Sequence, residues 1–225
     1  MDLAPLFISL KTAVLATILT FFFGLYGARY VMKLERYQGI IDGIFTLPLV
    51  LPPTVVGFFL LIVLGKNSLI GKFLLQFDFS IVFSWEATVI ASTVVAFPLM
   101  YRTTRGAFEQ VDHNLISAAR TLGMSEEKIF WRIILPLSWS GIAAGTVLAF
   151  ARALGEFGAT IMLAGNIPGK TQTMATAIYS AVQAGDHETA YVWAIVIIII
   201  SFVIMILMNY WSNLQKRVST AGWVK

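Results

Sequence analysis

The sequence predicts an all-α polytopic membrane protein with five transmembrane helices, and three observations carry that prediction. Of 225 residues, 58% are hydrophobic and only 12% are charged, about half the charged share of an ordinary soluble chain; mean hydropathy is +0.80. The apolar residues come in blocks of about 18 or more, the length a helix needs to cross a bilayer. The basic residues are also sorted between loops. With the N-terminus outside, the inner side receives eleven (Arg29, Lys33, Arg36, Arg102, Arg105, Arg120, Lys128, Arg132, Lys216, Arg217 and Lys225) and the outer side three (Lys66, Lys72 and Lys170). Lys11 and Arg152 fall within spans, which completes the 16 Lys and Arg of the chain. This positive-inside asymmetry predicts an outside N-terminus and a cytoplasmic C-terminus. No separate soluble domain is visible, so residues 1–225 read as a single transmembrane domain.

Span 1 is expected over about Leu6 to Tyr30, with Gly24 and Gly27 spaced for close helix contact. Lys11, near its start, reads as a side chain that snorkels to the interface. Met1-Asp2 is not a basic n-region and no small-residue cleavage site follows, so span 1 is expected to be retained. Span 2, about Ile40 to Leu64, holds Pro48, Pro52 and Pro53. Each proline removes a backbone donor, which lipid tolerates only where protein or a water-lined cavity satisfies the freed groups. Two readings stay open: a kinked helix packed in a bundle, or a broken helix lining a pathway. Thr46 and Thr54 flank the prolines and suit either.

Gly65 to Trp85 is a semi-polar connection with room for a short interfacial helix, and Trp85 suits the headgroup level. Span 3 is short, about Ala87 to Tyr101, with Pro98 near its end. Span 4 is expected over about Ser138 to Ala164. Within it Arg152 and Glu156 are spaced i,i+4 and share a face. They read either as a functional site inside the membrane or as a neutralised structural pair. Asn166 to Asp186 is polar with a helical middle. Span 5, about Thr189 to Trp211, is the least ambiguous.

Between spans 3 and 4 lies a polar island, Asp112 to Pro136, that reads as helix, glycine turn, helix, proline stop. Asp112 is a good N-cap. Leu115, Ile116, Ala119 and Leu122 fall on one helical face. Gly123 stands where a C′ residue with positive φ is needed, and Ser125 caps again ahead of Glu126 and Glu127, which favour the next helix through the macrodipole. Pro136 then punctuates the chain. Such a knuckle suits docking into a groove of a cytoplasmic partner through Ala118, Ala119 and Leu122. An ordinary loop packed under its own bundle fits the periodicity equally well.

The sequence also excludes chemistry. There are no cysteines, hence no disulfide, thiolate metal site or cysteine nucleophile. No phosphate loop of the G-x-x-x-x-G-K-[ST] type is present, so the chain does not itself bind and hydrolyse ATP by that route. No basic-aromatic patch suggests nucleic-acid binding. His113 and His187 lie in loops on opposite sides and cannot share a metal. Neither a catalytic nor a metal site is therefore expected. Glu156 is the lone carboxylate well inside a span, which weakens ion-driven transport. A membrane-embedded enzyme using Glu156 with Arg152 is the alternative, and it lacks a second acid or base. Broken, glycine-rich spans joined to a docking knuckle call for an external energy source.

The island resembles the coupling motif of binding-protein-dependent ABC importer permeases, EAA-x3-G-x9-I-x-LP. Ala118, Ala119, Gly123, Ile133, Leu135 and Pro136 fit at those spacings, with Arg120 and Leu122 between them. Ser117 departs from the pattern, standing where the family often has Glu; any ion pair that this Glu makes in relatives is lost here. Leu47 to Gly65 and Arg152 to Tyr179 are similar to the molybdate (tungstate) permease subunits of the oxyanion group, which also handles sulfate. The resemblance covers about Leu6 to Trp211. It implies the five-span core of a type I importer permease, with coupling helices at about 106–136. It further implies a homodimer in the bacterial cytoplasmic membrane, two cytoplasmic ATPase subunits holding ATP and Mg, and an extracytoplasmic oxyanion-binding protein. This chain would hold no cofactor itself. The gate and pathway walls would then fall at Thr46, Pro48, Pro52, Pro53 and Thr54 of span 2 and at Arg152, Glu156 and Gly158 of span 4.

Overall fold

The computed structural model describes residues 2–34 and 36–221, with side chains described through residue 206. Lys225 therefore lies outside the described residues, as do the side chains of Lys216 and Arg217. The described residues form helices α1 (Ala4–Met32), α2 (Gln38–Val50), α3 (Pro53–Leu64), α4 (Leu69–Leu75) and α5 (Trp85–Glu109). Then come α6 (His113–Thr121), α7 (Glu126–Ile129), a π-helical turn (Phe130–Ile134) and α8 (Leu135–Leu137), followed by α9 (Trp139–Leu154), α10 (Gly158–Leu163), α11 (Met174–Gln183) and α12 (His187–Ala221). No strand occurs among the described residues.

The bundle is assembled around α5, which packs against α1, α2, α9 and α10. Lipid tails are as apolar as leucine, so helices associate in a membrane through close packing at small residues rather than by burial alone. The contacts follow that rule. A Cβ on Gly24 of α1 would lie 2.6 Å from Met100 Cγ, and one on Gly141 of α9 would lie 2.5 Å from Ala107 Cβ. Met100 and Tyr101 are fully buried at the centre of these crossings. At one end of the bundle Thr12 and Thr88 hydroxyls meet at 2.9 Å, the Trp85 indole N–H donates to Thr12 at 3.0 Å, and the Lys11 ammonium sits 3.8 Å from the Trp85 ring centre. The snorkelling lysine thus has an aromatic partner. The connection after α3 does hold a short helix, α4, capped by Ser68.

Span 2 is broken rather than merely kinked, and spans 3 and 4 differ from their expected form. Span 2 is two helices, α2 and α3, set at 113° to one another. Residues that precede proline are driven out of the α region, and Leu51 and Pro52 are both extended, with ψ of 142° and 136°. Pro48, by contrast, is accommodated inside α2. Span 3 is longer than expected at 25 residues, about 37 Å of helix, and passes through Pro98 without breaking. Its polar last turns, including Arg105 and Glu109, hid that continuation in the sequence. The helices of the polar island consequently begin at His113 rather than near residue 106, because 106–109 still belong to α5. Span 4 breaks at Gly155–Phe157, between α9 and α10.

The stop expected at Pro136 comes one residue later. Pro136 lies inside α8, and the helix ends after Leu137 with a 67° bend into α9. Pro136 cannot donate to a carbonyl one turn back, and the turn before it widens to the π pattern over Phe130–Ile134. Among the described residues α1 and residues 187–206 of α12 are each long and apolar enough to cross a membrane, and two bent pairs reach that standard together.

Candidate functional site

Two places have the build of functional elements: the knuckle between α5 and α9, and the facing breaks of the α2–α3 and α9–α10 pairs.

The knuckle forms as its caps dictate. Asp112 Oδ1 accepts the Asn114 N–H at 2.8 Å and starts α6. Gly123 has φ +75°. Its N–H reaches the Arg120 carbonyl at 2.9 Å while the Met124 N–H reaches that of Ala119 at 3.1 Å, the paired bonds of a Schellman stop. Ser125 Oγ accepts the Lys128 N–H at 3.5 Å and opens α7. Arg120 braces the turn from outside, with Nε 2.6 Å and Nη2 3.1 Å from the two Glu126 oxygens. That hydrogen-bonded pair holds the Glu126 carboxyl below the usual carboxylate range and the Arg120 guanidinium above its own.

Inside the turn, Val111, Ile116, Ala119 and Ile129 form a small core of their own, with Met124 and Ile133 packed against it. This corrects the expected contact face. Ala119 is 4% exposed and belongs to the knuckle's interior, as does Ile116. The outward ridge is Leu115, Ala118 and Leu122, the last 82% exposed, with Ser117 beside it. One face in the sequence is thus two faces in the fold. Leu135 packs into the main bundle core instead, and Pro136 is exposed.

What ties the knuckle to the bundle was not legible as a motif. The Arg29 guanidinium, at the end of α1, lies 4.1 Å from the Phe130 ring centre and pairs with Glu127. The Trp131 indole N–H donates to the other Glu127 oxygen at 3.1 Å, and these two donors hold the Glu127 carboxyl below its usual range. Phe130 meets Phe108 of α5 edge-on at 5.5 Å. On the same end of the bundle Asp42 of α2 accepts from Tyr101 Oη at 2.8 Å and from Arg105 Nη1 at 2.7 Å, and Arg105 Nε also reaches Glu109 at 2.7 Å. In the sequence Arg29 and Arg105 are topology charges and Asp42 a residue near a span end. The missed signal was a carboxylate and a basic residue on elements that pack together.

The two breaks meet. Gly57 of α3 approaches α10 so closely that a Cβ there would lie 2.7 Å from Ala159 Cα and 2.9 Å from its carbonyl oxygen. Gly158 reciprocates, its absent Cβ facing Pro53 Cβ at 3.0 Å and Thr54 N at 3.1 Å. Two stretches singled out independently in the sequence are therefore in contact at Pro53, Thr54 and Gly158. Beside them Arg152 Nη1 pairs with Glu156 Oε2 at 2.7 Å. Glu156 Oε1 accepts the Ala159 N–H at 2.7 Å, capping α10 after the break. Thr46 does not join this group. Its hydroxyl donates back to the Asp42 carbonyl at 2.8 Å. Pro48 lines an apolar groove beside Phe45 and Phe97. Pro52 is exposed at the α2–α3 corner.

His113 and His187 start separate helices, and no group of three His, Asp or Glu among the described residues could hold a metal ion.

A family model described as the binding-protein-dependent transport system inner membrane component matches residues 13–218. The molybdenum transport system permease protein ModB of Haemophilus influenzae is 42% identical over 221 residues, covering 96% of each chain. The protein of the same name from Escherichia coli K12 is 42% identical over 206 residues, covering 91% of this chain and 90% of its own. Among solved structures, the methionine ABC transporter MetNI in inward-facing form aligns with a TM-score of 0.73 at 16% identity, over 93% of this chain and 94% of its own. A bacterial alginate ABC transporter in complex with a pentasaccharide-bound periplasmic protein aligns at 0.75 and 18% identity, over 93% and 77%. These two likenesses establish a shared fold.

Proposed function

The chain belongs to the family of binding-protein-dependent transport system inner membrane components, and on that premise we propose that it is the permease subunit of an ATP-driven molybdate importer. The observation that carries the substrate is the 42% identity, over nine-tenths or more of both chains, to the molybdenum permeases. The observation that carries the mechanism is the knuckle, a capped helical element that presents Leu115, Ala118 and Leu122 outward.

In this reading the chain is a homodimer in the bacterial inner membrane, its N-terminus outside and the knuckle inside. Two cytoplasmic ATPase subunits bind ATP and Mg and receive the knuckles in grooves; a molybdate-binding protein docks at the outer face. The ATPases act on the permease only through their different affinity for its two states. A push on the knuckle reaches α1 through Arg29 and α5 through Phe130, because those contacts leave it no independent hinge. The facing breaks at Pro53–Thr54 and Arg152–Gly158 are the gate and pathway walls, where glycine contacts let two broken helices slide. Selectivity resides in the binding protein, since a permease that held its substrate tightly would not release it.

Reconstitution tests this. Proteoliposomes holding permease, ATPase and binding protein should accumulate labelled molybdate only with ATP, with competition by tungstate and none by excess sulfate. Strong competition by sulfate would reassign the chain to sulfate transport. ATP-independent accumulation would remove the ATPase from the account.

A further inference from the structure

The broken α9–α10 segment holds a buried carboxylate whose two oxygens have separate partners. Oε1 of Glu156 is anchored to the backbone by the Ala159 N–H at 2.7 Å, and Oε2 meets Arg152 Nη1 at 2.7 Å. The partners differ in freedom. The Glu156 side chain is 1% exposed and anchored by the Ala159 N–H; the Arg152 side chain is 29% exposed and one turn earlier on α9. A buried carboxylate left without its cation is strongly disfavoured, and Arg152 supplies that cation to Glu156. One guanidinium nitrogen, Nη1, engages the carboxylate, and a guanidinium can offer its N–H donors to any oxyanion as it does to a carboxylate. The carboxylate of Glu156 therefore occupies the place on Arg152 that an oxyanion in the pathway would take.

We propose that Glu156 is a resident counter-anion: it holds Arg152 neutralised while the pathway is empty, yields the guanidinium to the passing oxyanion dianion, and reclaims it afterwards, so that the anion is never trapped. The proposal rests on the reading of the chain as an oxyanion permease. Only the ion pair is exchanged and no covalent bond changes, while the hydrogen bond from the Ala159 N–H keeps the carboxylate in place. Glu156 is thus a positioning residue for release, acting through Arg152.

Glu156→Gln tests it, because a glutamine amide oxygen can still accept the Ala159 N–H while the charge is gone. The assembled permease–ATPase complex, without nucleotide or binding protein, is dialysed against labelled tungstate. The E156Q complex should bind tungstate with a Kd about tenfold below that of the wild type, and with binding protein and ATP in proteoliposomes it should import several-fold more slowly. Adding Arg152→Gln to E156Q should abolish the retention and restore part of the lost uptake. A merely structural ion pair predicts otherwise: no gain of tungstate binding in E156Q, and a double variant no faster than the single one. Either result overturns the inference. If E156Q does not assemble, Glu156→Asp serves, since the shorter side chain cannot reach both partners. It should bind tungstate more tightly than the wild type, and equal binding overturns the inference. A wild-type complex that accumulates neither molybdate nor tungstate with ATP would instead sink the underlying reading.

Discussion

The knuckle end of the bundle and the facing breaks are built from different materials. At the knuckle end the contacts are directional: Arg29 between Phe130 and Glu127, Arg120 across its turn to Glu126, and Asp42 shared by Tyr101 and Arg105. At the breaks the contacts are glycine against backbone, with one ion pair beside them. Directional contacts resist both shear and rotation, because each angle is set by a hydrogen bond or a ring face. Glycine contacts resist compression only. Under the proposed function, force would enter where the structure is stiff and be spent where it can slide.

The largest expected effect breaks the sliding contact. Gly57→Leu places atoms where Ala159 Cα already lies 2.7 Å from an ideal Cβ. Overpacking of this kind costs about 1–3 kcal/mol or more, and should appear as a lower unfolding temperature of the purified protein and loss of uptake. Next, Arg29→Ala removes the link between α1 and the knuckle and leaves the bundle core intact. Uptake should fall about tenfold, a loss of roughly 1.4 kcal/mol, while the ATPase still co-purifies. Loss of co-purification instead would mean that Arg29 shapes the docking surface rather than transmitting from it. A third pair separates the two faces of α6. Ala119→Asp should destabilise the knuckle by burying a charge, whereas Leu122→Asp, at an 82% exposed position, should leave the unfolding temperature unchanged and weaken ATPase co-purification. Equal effects on both readouts would refute the two-face assignment.

The smallest effect is on pH. Glu126 and Glu127 have pKa values depressed below 4.5 by Arg120 and by Trp131 with Arg29, respectively. A depressed carboxylate contributes stability that is fully present above its unfolded pKa and is lost as pH falls through the folded one. Hydrogen exchange of knuckle amides should therefore be flat from about pH 5 upward after correction for intrinsic rates, and protection should drop only below about pH 4. Protection lost between pH 6 and 7 would refute the assignment to these two carboxylates.

Much of this was legible in the sequence for a physical reason. Caps act locally, so Asp112, Gly123 and Ser125 announced the knuckle, and prolines act on their immediate neighbours, so the corner at Leu51–Pro52 could be anticipated. Apolar blocks gave span 1 and span 5 because crossing a bilayer is a requirement on length and composition alone. Long-range pairings were not legible. Nothing local in Arg29 marks Glu127, 98 residues away, as its partner. The split of α6 into an inward and an outward side was also hidden. Leu115 and Ile116 are adjacent in sequence and similar in chemistry, and only the three-dimensional placement of Val111, Ala119 and Ile129 shows which one is buried. Span 4 misled for the opposite reason: its apolar run continues through the break, and the carboxylate that accepts the Ala159 N–H at the start of α10 reads in the sequence as an ion-pair partner.

The small interior of the knuckle has a further consequence. Because Val111, Ile116, Ala119 and Ile129 hold it in shape, the outward ridge is free of structural duty. Mutations at Leu115, Ala118 and Leu122 should then be tolerated without unfolding the element, and under the proposed docking role partner choice could drift while the contacts behind the ridge are kept. The knuckle would in that sense be an exchangeable plug on a fixed lead. Grafting the ridge of a relative onto this chain should redirect it to that relative's motor with the gate untouched.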